Sequence, residues 1–146
     1  MSQSHTRKRL VKSPKFLIYD LGVRRIAAGE GCNIPEKYMG DLFEQWVGLE
    51  LLRFLRMFPQ KSSLLFWRDQ SGAEVDWVVE KENKYIPVEV KWSKDPNLRD
   101  TRHLEKFLEE YPNASKGYVV CRVPRAQKLS DSIQAIPWRD IESILK

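Results

Sequence analysis

Between Gly40 and Trp92 the apolar residues change from a helical spacing to strand-length runs, and few architectures accommodate that order. Phe43, Trp46, Val47, Phe54 and Phe58 recur at i, i+3 and i+4, with Leu51 and Leu55 widening the stripe and Glu50 near its centre. The spacing predicts a helix from Gly40 to Phe58, stopped by Pro59, whose ring and missing N–H cannot continue it. Three strand candidates follow: Leu64–Arg68, Glu74–Glu80 and Tyr85–Trp92. Asp69-Gln-Ser-Gly72 joins the first pair and Lys81-Glu-Asn-Lys84 the second, and both connections suit antiparallel hairpins. Asp95-Pro-Asn97 then opens a second helix, Leu98–Tyr111, with Leu104, Phe107, Leu108 and Tyr111 on one face. Gly117–Arg122 reads as a buried strand, Ile133–Ile136 as a short apolar piece, and a terminal helix is expected after Pro137. Ahead of the long helix, Phe16–Tyr19 is a strand or an extended docking segment, and Leu21–Ala28 a short helix ended by Gly29 and Gly31. The predicted fold is α/β, in the order helix, three strands, helix, strand.

A length of 146 residues suits one domain, 1–146, with 1–28 as a basic N-terminal extension or docking segment. The 42% hydrophobic content, with five Trp and six Phe, can build a core, which argues against disorder. No run approaches the roughly 20 apolar residues of a membrane span. Met1–Lys15 is polar and basic and lacks the apolar stretch of a secretory signal. These features predict a cytoplasmic protein with no membrane partner, in which Cys32 and Cys121 are reduced thiols. His5 and His103 lie too far apart for a zinc pattern. The net charge of +5, with Arg7, Lys8, Arg9, Lys12, Lys15, Arg24 and Arg25 near the front, suits a phosphate backbone, though a solvated or frayed terminus is the more common source of such a run.

The chemistry resides in the two middle strands. Alternation along Val88-Glu89-Val90-Lys91-Trp92 sends Glu89 and Lys91 to one face and Val88, Val90 and Trp92 to the other. Along the preceding strand it groups Glu74, Asp76 and Val78 against Val75, Trp77 and Val79. Paired, the strands bring Asp76 towards Glu89 and Lys91. Two carboxylates held close repel each other, and a hard divalent cation such as Mg²⁺ or Mn²⁺ relieves the repulsion with oxygen ligands. Such a cation activates water and neutralises phosphoryl charge, while Lys91 can orient that water and stabilise the transition state. The same alternation also describes an antiparallel sheet with one solvated face, and pattern alone leaves both readings open.

The set Glu44, Asp76 and Glu89-Val-Lys91, on helix, strand and strand, resembles the PD-(D/E)xK, or restriction-endonuclease-like, nuclease superfamily. There an E-x-K follows an aspartate strand, and a Gly-x-x-x-Glu on the preceding helix, matched by Gly40 to Glu44, supplies a third acid. The resemblance implies a three-layer core with a mixed sheet flanked by helices. It also implies Glu44, Asp76, Glu89 and Lys91 as catalytic residues, and Mg²⁺ or Mn²⁺ on Asp76, Glu89 and the Val90 carbonyl, acting on DNA.

More specifically, the chain is similar to an uncharacterised carboxy-terminal domain of bacterial and archaeal AAA-type ATPases. The carrying segments are Lys12-Ser-Pro-Lys15, Tyr19-Asp-Leu-Gly22, Gly40-Asp-Leu-Phe-Glu44, Phe66-Trp-Arg-Asp69, Gly72-Ala-Glu-Val-Asp76 and Ile86-Pro-Val-Glu-Val-Lys91. This implies an AAA-type ATPase module as partner, and a chain that is either a fragment or a stand-alone relative. Two departures stand out: no proline precedes Asp76, and no Gly-x-x-x-x-Gly-Lys-Ser/Thr is present, so ATP hydrolysis is not expected of these residues.

Two functions are therefore open: a metal-dependent nuclease, or a non-catalytic module that recognises nucleic acid or protein for an AAA-type ATPase. Glu50 rivals Glu44 as third ligand or is a paired structural acid, and Glu74 is expected to be exposed at the hairpin mouth. Trp67 and Trp92 offer faces to bases, but aromatic residues in strands are more often core, and His103 is expected to face solvent. Phe16–Tyr19 is expected either to pack on the core or to leave an apolar patch that drives homodimerisation.

Overall fold

The computed structural model describes residues 17, 20–22, 29, 33–57 and 61–146. The helical stripe forms α1, Met39–Arg56, entered through a 3-10 turn at Glu36–Tyr38. Its buried face centres on Phe43, Val47, Leu51 and Leu55, which leaves Glu50 on the flank, paired with Arg53 one turn on. Phe58, most of Phe16–Tyr19, most of Leu21–Ala28, the basic front of the chain and Cys32 lie outside the described residues. Within those segments Leu17 packs against the core, and Leu21 and Gly22 are helical.

Three strands follow as an antiparallel meander: β1 Ser62–Arg68, β2 Glu74–Lys81 and β3 Lys84–Val90. The β1–β2 turn is organised by Asp69, whose carboxylate accepts the Ser71 and Ala73 amides at 2.8 and 3.0 Å and pairs with Lys106. The Lys106 ammonium, with those amides and the Ser71 hydroxyl, outweighs burial and holds the Asp69 carboxyl well below the usual carboxylate range. At the β2–β3 turn, Lys81 pairs with Lys84 across two residues, Glu82 and Asn83, at φ of 51° and 63°. Two consecutive positive φ values give the hairpin geometry whose twist matches the flanking strands.

Asn97 then caps a 3-10 turn, Leu98–Thr101: it accepts the Arg99 amide at 2.9 Å, while Asp100 reaches back to the Asn97 amide at 2.9 Å. Helix α2, Arg102–Glu110, continues from it. The chain finishes with β4 Gly117–Cys121, β5 Gln127–Lys128 and β6 Ile133–Pro137. The helix expected after Pro137 is instead a pair of 3-10 turns over Trp138–Leu145, broken at Asp140 (φ −105°, ψ 17°). The tighter winding stacks residues three apart, and Ile141 and Ile144 are both buried there.

The six strands form one mixed sheet in the order β1-β2-β3-β4-β6-β5. β3, β4 and β6 run parallel, and β5 pairs antiparallel with β6. One core joins α1 and the carboxy-terminal turns to Trp77, Val79, Val88, Val90, Val120 and Ile136. A second joins Leu104 and Phe107 of α2 to Trp67, Val75, Val78, Val119 and Ile133. Trp67 is thus a core residue, edge-on to Phe107 at 5.6 Å.

Helix α1 approaches the sheet tightly at Gly48, where an added Cβ would lie 2.4 Å from the Trp77 ring. Trp77 is buried and its indole N–H donates to the Glu44 carbonyl at 3.1 Å, so it cannot swing aside cheaply. Gly48→Ala gains about 1 kcal/mol of helix propensity against an overpacking cost of about 1–3 kcal/mol. Urea denaturation is expected to show net destabilisation; an unchanged or raised midpoint would mean that Trp77 is not fixed against α1.

Candidate active site

The β1–β2 ladder steps from Leu65↔Val78 to Trp67↔Val75, two residues on β1 against three on β2. The extra residue is a β-bulge at Asp76-Trp77 opposite Phe66. A bulge interrupts alternation, which corrects the expected faces: Val75 joins Val78 in the α2 core, while Trp77 and Val79 face α1. The bulge also re-aims Asp76. The regular β2–β3 ladder ends at Trp77↔Val88, and the Asp76 carboxylate accepts the Val90 amide at 2.8 Å. One step beyond that ladder, Asp76 stands across from Glu89. A strand residue's N–H and C=O point to the same side, so the Val90 carbonyl shares the edge that Asp76 occupies.

On β3 the expected alternation holds. Val88 and Val90 enter the α1 core, joined by the partly buried Trp92, while Glu89 takes the α2 face. β3 itself stops at Val90, yet the Lys91 amide still donates to the Val120 carbonyl at 3.0 Å, so Lys91 remains tied to the sheet. Glu89 is 7% exposed. One carboxylate oxygen meets the Lys91 ammonium at 2.8 Å, and the other, Oε2, is buried with no hydrogen bond of normal geometry. Burial raises the Glu89 pKa; the Lys91 bond and charge, the His103 charge and the Asp76 amide oppose it without cancelling it. For Lys91, whose side chain is 38% exposed, burial works against the ammonium, but Glu89 prevails with help from Asp76 and Asp100, and its pKa rises. Lys91 therefore keeps its proton.

Two residues from the second helical segment belong to this neighbourhood. Asp100, fixed by its capping role, acts on Lys91. His103 is half-buried, not solvent-facing as expected. Its Nδ1 lies 3.0 Å from the Glu74 carbonyl, which can only accept, so Nδ1 carries the proton. Asp100 is not among the expected site residues, although Asn97-x-x-Asp100 has capping-box spacing and so gives the phase of the segment. Glu74 is exposed as expected, paired with Arg68 at 2.9 Å.

Glu44 reaches the area from the other side. It lies on α1, half-buried, and its carbonyl receives the indole N–H of Trp77, the neighbour of Asp76. Among the described residues no three His, Cys, Asp or Glu side chains converge as a metal-holding group. The acids and lysine that the structure assembles are Asp76, Glu89 and Lys91, with Glu44 anchored next door through its backbone.

The family model described as "Domain of unknown function (DUF4143)" matches residues 39–141, from the start of α1 to the carboxy-terminal turns. No curated protein matches the chain. Among solved structures, the fold is similar to a chain in the refined half-complex from a tetradecameric assembly of Thermococcus gammatolerans McrB AAA+ hexamers with bound McrC. The TM-score is 0.50 at 17% identity, over 68% of this chain and 27% of that one. At that identity the likeness is one of fold, and this chain spans about a quarter of the matched one. The family match covers well over half of the sequence, and the chain belongs to the DUF4143 family.

Proposed function

We propose that the chain is a metal-dependent nuclease of the restriction-endonuclease-like kind, hydrolysing phosphodiester bonds of DNA with Glu44, Asp76, Glu89 and Lys91. The observation that carries this reading is the Glu89 carboxylate, buried between the Lys91 ammonium and the Asp76 amide, with Oε2 making no hydrogen bond of normal geometry. Removing a carboxylate from water costs several kcal/mol, and one hydrogen bond to a charged group returns about 1.5–3 kcal/mol. A side chain serving only the fold gains nothing from such an arrangement; a cation ligand does.

The donor set suits Mg²⁺ or Mn²⁺, which take carboxylate and carbonyl oxygens. Glu89 Oε2, Asp76 and the Val90 carbonyl would hold the ion, with Glu44 as the further acid. At such a site the ion supplies an activated water and neutralises charge on the phosphoryl oxygens. The chain's own residues do the rest. The Val90 amide fixes the Asp76 carboxylate, so that side chain needs no reorganisation on binding. Lys91 retains its proton and presents a cation to the phosphoryl oxygens or the attacking water, an electrostatic contribution made before the reaction begins. Asp100 and His103 fix the local field from the adjacent helical segment.

The likeness to a chain of an AAA+ assembly favours a second reading, in which this domain is a recognition module for an AAA-type ATPase and its acids are chemically idle. Incubation with Mg²⁺ or Mn²⁺ and linear, circular, single-stranded and branched DNA separates the two. Cleavage is expected, with Lys91→Ala slower by about 100-fold or more. No cleavage of any substrate, or equal rates in the variant, would favour the recognition module.

The same variant has a pH signature. Without Lys91 the Glu89 pKa rises further, and a raised carboxyl stabilises the fold at low pH and loses that stability as pH climbs through its folded value. The melting deficit of Lys91→Ala should be small at pH 5 and grow towards pH 8; a deficit independent of pH would mean that the two side chains are not coupled. Conversely, Glu89→Gln removes a buried charge. It should raise the metal-free melting temperature at pH 8 by about 2–6 °C, roughly 1 kcal/mol in a domain of this size, and abolish stabilisation by Mn²⁺. A lower melting temperature with the Mn²⁺ effect intact would make Glu89 purely structural.

A further inference from the structure

The three parallel strands end side by side, and what they carry there is unusual for a core boundary. Arg122 and Trp138 stand one residue past the last β4–β6 pair, Cys121↔Pro137, and Trp92 stands two past the last β3–β4 partner, Val90. The Arg122 guanidinium lies over the Trp92 ring at 4.1 Å. Phe43 meets the Trp92 ring edge-on at 5.2 Å and stacks parallel to Trp46 at 6.3 Å, and Trp46 meets Trp138 edge-on at 5.4 Å. A continuous arc, Trp138–Trp46–Phe43–Trp92–Arg122, thus runs along the carboxyl ends of β6, β4 and β3 to Trp92, the residue after Lys91 on β3's continuation and on the opposite face of the sheet. Only part of it is core: Phe43 is buried, Trp46, Trp92 and Arg122 are half-buried, and Trp138 is 44% exposed. Arg139 and Arg125, both exposed, add positive charge at the same end, with Arg139 held by the Pro124 carbonyl at 3.1 Å.

We propose that this arc is a platform for single-stranded nucleic acid, with Trp138 stacking on a base and Arg122 and Arg139 taking phosphates, so that the strand runs over the sheet edge towards Lys91 and Glu89. Aromatic faces interleaved with cations are what a single strand recognises, because every base has a π-face and every linkage a charge. A guanidinium stacked on an indole is planar, weakly hydrated and oriented, which suits phosphate better than a free lysine does. A duplex keeps its bases stacked inside and offers Trp138 nothing. An apolar protein partner would match the tryptophans but leave the arginines desolvated. The parallel strand ends are also where α/β sheets commonly receive ligands. The inference deepens the nuclease reading by naming its substrate as an unpaired strand, and it rests on that reading only for the direction in which the strand runs.

Binding and cleavage are separable. Fluorescence anisotropy of a labelled oligodeoxythymidylate with the full chain, in EDTA, reads the platform alone. The single strand should bind at least several-fold more tightly than a duplex of equal length. Trp138→Ala should weaken it about 10-fold, and Arg122→Ala should both weaken it and lower the salt slope by about one. Arg122→Lys should keep the salt slope yet lose part of the affinity, a result that misfolding would not produce. Equal affinity for duplex and single strand, unchanged binding in Trp138→Ala and Arg122→Ala, or binding of a labelled apolar peptide in place of the oligonucleotide would each overturn the platform. Lys91→Ala marks the other failure: if it binds the strand like wild type while no metal supports cleavage in either protein, the platform stands and the nuclease reading falls.

Discussion

The hydrogen bond from the Val90 amide to the Asp76 carboxylate decides how the end of the sheet is built. A buried backbone N–H left unpaired costs about 1–3 kcal/mol, and Val90 lies beyond the last β2–β3 partner pair, Trp77↔Val88. Asp76 fills the gap with a charged acceptor. Three consequences follow. The antiparallel ladder closes at Trp77↔Val88, Val75 crosses to the α2 face while Trp77 stays towards α1 where Gly48 admits its ring, and the Asp76 carboxylate is held at the strand edge beside Val90. Without the bulge, Val75 and Trp77 would share a face.

The electrostatics of the site depend on that geometry. Glu89 is buried next to a lysine that keeps its proton, and the pair is asymmetric: Lys91 can still reach solvent, whereas Glu89 cannot. A fully satisfied structural ion pair would have both oxygens bonded. Here one is spoken for and one is not, on the strand edge that also presents Asp76 and the Val90 carbonyl. Membership of the DUF4143 family fixes the fold and leaves the chemistry to be argued from these side chains, because a fold by itself does not determine a function.

Much of this was legible in the residues. The long helix, the three-strand meander and the capped second helix all came from local signals: helical spacing from Phe43 to Leu55, turn residues in Asp69–Gly72, and Asn97 after Asp95-Pro. The placement of Glu89 and Lys91 away from Val88 and Val90 came from alternation alone. Other features depended on the assembled sheet. A bulge obeys no local pattern, so Val75 was assigned to the wrong face. Glu50 was placed too centrally because apolar spacing marks the stripe but not its midline, which packing against the sheet sets. The segment after Pro137 was expected as a helix, but it is wound as 3-10 turns interrupted at Asp140, a difference that its residue types do not mark. His103 needed the Glu74 carbonyl, 29 residues away in sequence, to bring it into the site.

The central claim is that Asp76 and Glu89 together hold a divalent cation. Isothermal titration of Mn²⁺ into the metal-free chain at pH 8, alongside the Asp76→Asn, Glu89→Gln double variant, tests it directly. Each carboxylate must be deprotonated to bind, so affinity in the unsubstituted chain should fall as pH drops towards the raised Glu89 pKa. The account predicts one saturable Mn²⁺ site in the unsubstituted chain and none in a double variant that still melts cooperatively. Mn²⁺ binding of equal affinity and stoichiometry in both proteins would contradict it.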